Sequence, residues 1–170
     1  MVSKSLAQAS LAALVIAMNS VPAIADDKAF GGPHSLVGSW EFTLKPHDCV
    51  SGAEAPPQFW NFSYLTFNAG GTLHESTSNP RFQPGQRGPG HGHFERIGPK
   101  TYDAVLQAFI QFDTVPPAVP SYVRGSVRIT QVIEMLDANH WQSVADVDFR
   151  DGAGNPISRG CANAVATRMP

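Results

Sequence analysis

The sequence has few charged residues, only two cysteines and no run of basic residues. Asp, Glu, Lys and Arg together make up 15% of the 170 residues, and the formal net charge is −2. Because the arginines are scattered, we expect no nucleic acid partner. No Cys-x-x-Cys pair is present, which argues against a cysteine-based metal or redox site.

Common catalytic signatures are also missing. The chain has no Gly-x-Ser-x-Gly nucleophile elbow, and its glycine-rich segment lacks the Gly-Lys-Ser/Thr of a phosphate-binding loop. The sequence therefore assigns no catalytic residue and no cofactor. It favours a non-enzyme, and it indicates no particular oligomeric state.

Long apolar runs are absent except near the start. Lys4 is followed by the apolar stretch Leu11–Met18 and by the small-x-small tripeptide Ala23–Ala25, which predicts a signal peptide over residues 1–25. The alternative is an amphipathic or buried N-terminal helix. Because about 20 apolar residues are needed to span a bilayer, we expect no membrane span after signal removal. The predicted protein is secreted or periplasmic, with an N-terminal extension (26–35) and one domain (36–170).

In an exported protein, an even number of cysteines favours a disulfide. Cys49 and Cys161 allow one pairing, and two free buried thiols are the alternative.

Eight segments with apolar and polar residues in alternation make up most of the domain, as expected for strands with one buried face. The fifth also has helix-forming residues, but its alternation and the preceding turn favour a strand. The predicted strands are Gly38–Leu44, Phe59–Asn68, Thr72–Ser76, His91–Ile97, Thr101–Phe112, Tyr122–Leu136, His140–Phe149 and Ile157–Thr167.

The connections between these strands alternate between tight turns and long, Gly- and Pro-rich loops. Successive turns of an up-and-down sheet fall at opposite ends, so all the long loops should surround one end. The pattern predicts an all-β fold, an eight-stranded up-and-down antiparallel barrel with long loops at one end. The tight turns are Asn68–Gly71, Gly98–Lys100 and Asp137–Asn139, and the long loops are Lys45–Gln58, Thr77–Gly90, Asp113–Ser121 and Arg150–Pro156.

Pairing of the first and last strands would remove both exposed sheet edges. One antiparallel register would place Trp40 opposite Arg168 and Cys49 within two residues of the position opposite Cys161, a gap that a bulge or the disulfide can absorb. The disulfide would then hold the barrel closed beside its mouth.

Gly38-Ser39-Trp40 resembles the Gly-x-Trp signature of the lipocalin (calycin) superfamily, in which an Arg at the end of the last strand packs over the Trp. Arg168 lies where that Arg is expected. The resemblance covers Leu36 to Arg168 and implies a barrel that is closed at one end and often holds a small apolar molecule. The segment Pro84–Gly92 also resembles exported bacterial lipocalin-like proteins of unassigned activity.

Three groups of residues are candidates for a site. Trp60, Phe62 and Tyr64 share one face of their strand, either as a wall on which a ligand stacks or as barrel core. Arg87, among glycines, either binds a carboxylate or phosphate as part of a lid or is solvated in a surface loop.

The third group is histidine-rich. His91, His93 and Glu95 alternate along one strand, and His74 could lie opposite them, so that the four could bind zinc or another transition metal. His91 could also contact a ligand near the mouth. The alternative is a polar outer face with Phe94 pointing inward, and the sequence favours this alternative, so no metal is assigned.

The sequence thus predicts an exported barrel that binds a small, mostly apolar ligand. Two alternatives remain, an enzyme on the same scaffold (an isomerase, a cyclase or a metal-dependent catalyst) and a filled barrel with a structural or partner-binding role. An empty interior of several hundred Å³ would favour binding, and a packed interior would exclude it. An interior His74 or His91 would favour an enzyme.

Overall fold

The structure is a computed structural model that describes residues 32, 34–111 and 124–170, with Arg124 described by its backbone only. The predicted signal peptide, most of the N-terminal extension and the loop Asp113–Ser121 lie outside the described residues. Phe112 and Tyr122, at the ends of two predicted strands, also lie outside them. Among the described residues, no helix has the length and hydropathy needed to cross a bilayer.

Eight antiparallel strands form a closed up-and-down barrel in which each strand pairs with the next and the last pairs with the first. The predicted fold is therefore confirmed. A 3-10 helix at Pro57–Phe59 precedes the second strand. The strands are β1 (Gly38–His47), β2 (Asn61–Phe67), β3 (Thr72–Ser78), β4 (Gly90–Arg96), β5 (Thr101–Gln111), β6 (Arg124–Met135), β7 (His140–Asp151) and β8 (Pro156–Arg168).

The connection between β7 and β8 is short, so the long loop predicted over Arg150–Pro156 is wrong. Both strands extend into that segment and leave only residues 152–155 between them. Asp151 closes this turn by accepting hydrogen bonds from the amides of Ala153 and Asn155 on its side chain, at 2.9 and 2.8 Å. Residues 48–60 and 79–89 remain as long connections at the same end of the barrel.

The seam between β1 and β8 has the predicted register. Trp40 lies opposite Arg168, and the pairing continues to His47 opposite Cys161. Cys49, two residues beyond the end of β1, forms a disulfide with Cys161 across a Cα–Cα distance of 5.3 Å. Because β1 and β8 pair along this seam, the barrel leaves neither of them as an open edge.

The end of the barrel with the tight turns is filled by large side chains. Trp40 and Trp141 are fully buried there, with ring centroids 6.2 Å apart. The Arg168 guanidinium lies 4.1 Å from the Trp40 ring centre and donates hydrogen bonds to the backbone oxygens of Ser35, Val37 and Ala138. Gly38 has a φ of +132°, and a Cβ there would collide with Arg168. This filled end of the barrel, with Trp40, Trp141 and Arg168, is called the plug.

Candidate functional site

The half of the barrel nearest the long connections contains a cavity of about 90 Å³. Large rings fill the plug, but small residues such as Gly160 and Ala162 leave room here. The cavity is smaller than the roughly 300–1,000 Å³ of drug-sized ligand sites and smaller than an engineered cavity of about 150 Å³ that binds benzene. It therefore suits a group of only a few non-hydrogen atoms.

The two sides of the cavity differ in chemistry. One side is apolar and is contributed by β1, β6, β7 and β8. The other is mainly polar and is contributed by β2, β3 and the 79–89 connection. The apolar lining includes Phe42, Leu44, Val127, Ile129, Val147, Phe149, Ala162 and, from the connection, Phe82; the polar lining includes Asn61, Ser63, Glu75, Thr77, Asn79, Arg81 and Arg87.

On the polar side, one hydrogen bond joins two hydroxyls, while one amide oxygen has no partner in the part of the chain that the structure describes. The Ser63 hydroxyl donates to Thr77 Oγ1 at 2.6 Å. Asn61 Oδ1 is shielded from solvent and has no hydrogen-bond partner among the described residues. Because an unpaired buried acceptor is costly, this oxygen is a natural place for the N–H or O–H of a ligand.

The polar side also contains a buried ion pair. Arg87 Nη2 lies 2.6 Å from Glu75 Oε2, and the two side chains are 5% and 3% exposed. Glu75 has an inward position on β3, and Gly90 leaves the space that its carboxylate occupies. A Cβ at position 90 would come within 2.6 Å of Oε2. The pair is formed inside the barrel, so its two charges neutralise each other there.

The glycine-rich connection is held against β5, and this contact directs Arg87 inward. Arg87 forms a β-bridge with Ile110. The amide of Gly88 donates to the Phe109 oxygen at 3.0 Å, and the amide of Gln111 donates to the Gln86 oxygen at 2.9 Å. The alternative in which Arg87 is solvated on the surface is therefore wrong. Its role in ligand binding remains a prediction.

The prediction that the β2 aromatics form an interior wall or core is wrong. Phe62 and Tyr64 point outward and are 53% and 54% exposed. Trp60 precedes β2 and packs under Lys45, whose Nζ lies 4.4 Å from the ring centre. The register explains the error, because Trp40 points inward and pairs with Leu65. Leu65 and Ser63 therefore face the interior.

The histidines also lie outside the barrel, so His91 does not contact the cavity. His74, His91, His93 and Glu95 are all exposed on the outer face, whereas Phe94 is buried, as the alternative interpretation predicted. His74 and His91 do lie opposite each other on β3 and β4. Within the part of the chain that the structure describes, no group of three or more His, Cys, Asp or Glu side chains could hold a metal ion.

Sequence reasoning missed four polar residues that β2 and β3 contribute to the cavity, as well as Asn79 and Arg81 of the 79–89 connection. The four residues of β2 and β3 are Asn61, Ser63, Glu75 and Thr77, and none was proposed as a site residue. The alternation along β3 could have predicted that Glu75 and Thr77 point inward. Leu73, Glu75 and Thr77 alternate along β3, so a buried Leu73 implies an inward Glu75. The preference of carboxylates for the surface hid this signal.

No protein-family model, curated protein or solved structure matches this chain significantly. The likeness to lipocalins carried by Gly38, Trp40 and Arg168 therefore remains a prediction, and the function has to be argued from the cavity itself.

Proposed function

We propose that this protein binds a small, neutral, mostly apolar molecule in the mouth half of its barrel. The apolar part of the ligand packs against Phe42, Val127 and Phe149, and one N–H or O–H group donates a hydrogen bond to Asn61 Oδ1. A ligand larger than the cavity places only one end inside it.

The mixed apolar and polar lining of the cavity is the observation that supports this function. An unsatisfied buried acceptor costs roughly 1–3 kcal/mol, and a donor on the ligand would recover that free energy at Asn61. Burial of the rest of the ligand against apolar side chains adds about 25 cal/mol per Å² of apolar surface. Glu75 and Arg87 already neutralise each other, which favours an uncharged group at the buried end of the ligand. The exposed Arg81 also lines the cavity and would lie near the outer end.

The two alternatives have less support. An enzyme would have been favoured by an interior His74 or His91, and both lie on the outer face. The free volume of about 90 Å³ in the mouth half is below the several hundred Å³ expected of a ligand-binding barrel. The barrel is nevertheless not completely filled, and the free space has both apolar and polar lining. The Cys49–Cys161 disulfide fits an oxidising compartment, so we place this binding function outside the cytosol, in a secreted or periplasmic protein.

A pair of variants on β7 tests the proposal. Val147 lines the cavity, whereas Val144 on the same strand points outward and is 65% exposed. Val147→Phe should fill the cavity, and Val144→Phe adds the same ring outside it. The ligands tested are linear alcohols and primary amides of roughly one to three carbons, because the cavity is smaller than one that holds benzene.

Binding is measured by amide chemical shifts in NMR spectra. We expect these ligands to shift cavity residues in the wild type and in Val144→Phe, and not in Val147→Phe. Asn61→Leu should remove the preference for an alcohol over the alkane of equal length. The proposal is wrong if no ligand of the series shifts cavity residues, or if Val147→Phe binds as well as the wild type.

A further inference from the structure

Two histidines meet on the outer surface of the barrel, on the opposite side of the sheet from the cavity. His74 and His91 are directly paired across β3 and β4. Their Nδ1 atoms lie 3.0 Å apart, and their rings are nearly perpendicular. Both side chains are exposed, so a dissolved ion can reach them without a change in the fold.

The contact brings two nitrogen lone-pair positions together. A neutral imidazole has one N–H and one acceptor nitrogen, so one histidine must present Nδ1–H and the other a bare Nδ1. Metal binding requires both Nδ1 atoms to be bare, and a small rotation of the exposed rings would turn both lone pairs toward one ion. Zn–N bonds are about 2.0–2.1 Å long, and two such bonds at 90–109° place their nitrogens about 2.8–3.4 Å apart. The observed separation lies within this range.

The surroundings of the pair also suit a cation. The cross-strand partners of His74 and His91 on their other sides are Thr66 and Gln107, both uncharged. The chain has only two cysteines, and both are in the disulfide, so no thiolate competes for the metal. A two-histidine site leaves the remaining coordination positions to water.

We propose that His74 and His91 form a surface site for a divalent transition metal, bound through both Nδ1 atoms. Imidazole is a preferred ligand of Zn²⁺, Ni²⁺ and Cu²⁺, and Cu²⁺ should bind most tightly by the Irving–Williams order. The metal would join β3 to β4 one residue from the pair formed by Glu75 and Gly90. It would therefore hold together the end of the ladder from which the 79–89 connection departs.

Isothermal titration of the untagged, disulfide-bonded protein with CuCl₂, in a non-coordinating buffer, tests the site. We expect one equivalent to bind. Loss of a group that only orients a metal ligand costs about 10- to 100-fold in affinity, so His74→Ala and His91→Ala should each weaken binding by at least about tenfold. His93→Ala is the matched control, because His93 is an exposed residue on the same strand and face as His91.

Two further measurements do not depend on the variants. Cu²⁺ should broaden the NMR signals of His74, His91 and their neighbours before any others, and the electron paramagnetic resonance spectrum of bound Cu²⁺ should show two nitrogen ligands. The proposal is overturned if His74→Ala and His91→Ala bind Cu²⁺ as the wild type does. It is also overturned if broadening starts elsewhere on the barrel.

Discussion

Replacement of Arg87 by methionine should destabilise the barrel strongly, although Arg87 belongs to a glycine-rich connection. The variant removes the guanidinium from its contact with Glu75 at 2.6 Å and leaves a carboxylate that is 3% exposed. Methionine has a similar length, so the change removes the charge and keeps much of the apolar packing.

The magnitude follows from the burial of the pair. Removal of one partner from a buried ion pair leaves an uncompensated charge and typically costs about 3–5 kcal/mol. Replacement of both partners by apolar residues of similar size is often neutral or stabilising. We therefore expect Arg87→Met to lose about 3–5 kcal/mol and the double variant Glu75→Leu/Arg87→Met to recover most of this loss.

Urea unfolding under oxidising conditions, followed by tryptophan fluorescence and far-ultraviolet circular dichroism, measures these free energies. Arg159→Met is the control. Arg159 pairs with Asp148 at 2.9 Å, but its side chain is 77% exposed, and such surface pairs contribute at most about 1 kcal/mol. The reasoning is refuted if Arg87→Met lowers the free energy of unfolding no more than Arg159→Met does. It is also refuted if the double variant loses as much free energy as Glu75→Leu and Arg87→Met lose in sum.

Two other predictions concern the ends of the barrel. The double replacement Cys49→Ser/Cys161→Ser removes a cross-link spanning 112 residues, which should lower the free energy of unfolding by about 4–5 kcal/mol; a loss below about 1 kcal/mol would contradict this. Hydrogen bonds from the Asn139 amide and from His140 hold the pKa of Asp137 below its usual 3.8. A carboxyl group whose pKa is lower in the folded than in the unfolded state stabilises the fold at pH values above its unfolded pKa. This stabilisation is lost as the pH falls through the folded pKa. The melting temperature of Asp137→Asn should therefore be lower than that of the wild type at neutral pH and equal to it in strong acid, and a difference that persists there would count against this account.

The architecture could be predicted because its signals are local or follow from pairing rules. Alternation identified the strands, turn residues separated them, and the need to cover two edges paired the first strand with the last. The register that places Trp40 opposite Arg168 came from the same rule and is confirmed. The extra length of β7 and β8 was missed because Gly, Asn and Pro near residue 155 indicated a loop, whereas they form a turn between strands that continue to it.

The orientation of β2 could not be predicted from its own residues. Alternation shows that Phe62 and Tyr64 share a face, but it does not show which face is inside. The aromatic face looked more suitable for burial than Asn61 and Ser63. Pairing with β1 determines which face of β2 is inside, because Leu65 lies opposite the inward Trp40 and therefore also points inward.

The buried ion pair depends on a contact between distant segments. Glu75 is acceptable inside the barrel only because Arg87 reaches it, and Arg87 reaches it only because residues 86–88 bond to the end of β5. The glycine at position 90 completes the arrangement by leaving space for the carboxylate. The Glu75–Arg87 ion pair therefore could not be predicted from the residues of any one strand.

Cys161 belongs both to the covalent link that ties β1 to β8 and to the lining of the cavity. If the cavity binds the proposed ligand, oxidation of the two thiols and occupancy of the cavity both act on β8 at Cys161. Coupling between two equilibria is reciprocal, so if formation of the cross-link shapes the cavity for its occupant, the occupant in turn protects the cross-link from reductants. In that case, a newly synthesised chain would reach its full ligand affinity only after its two thiols are oxidised.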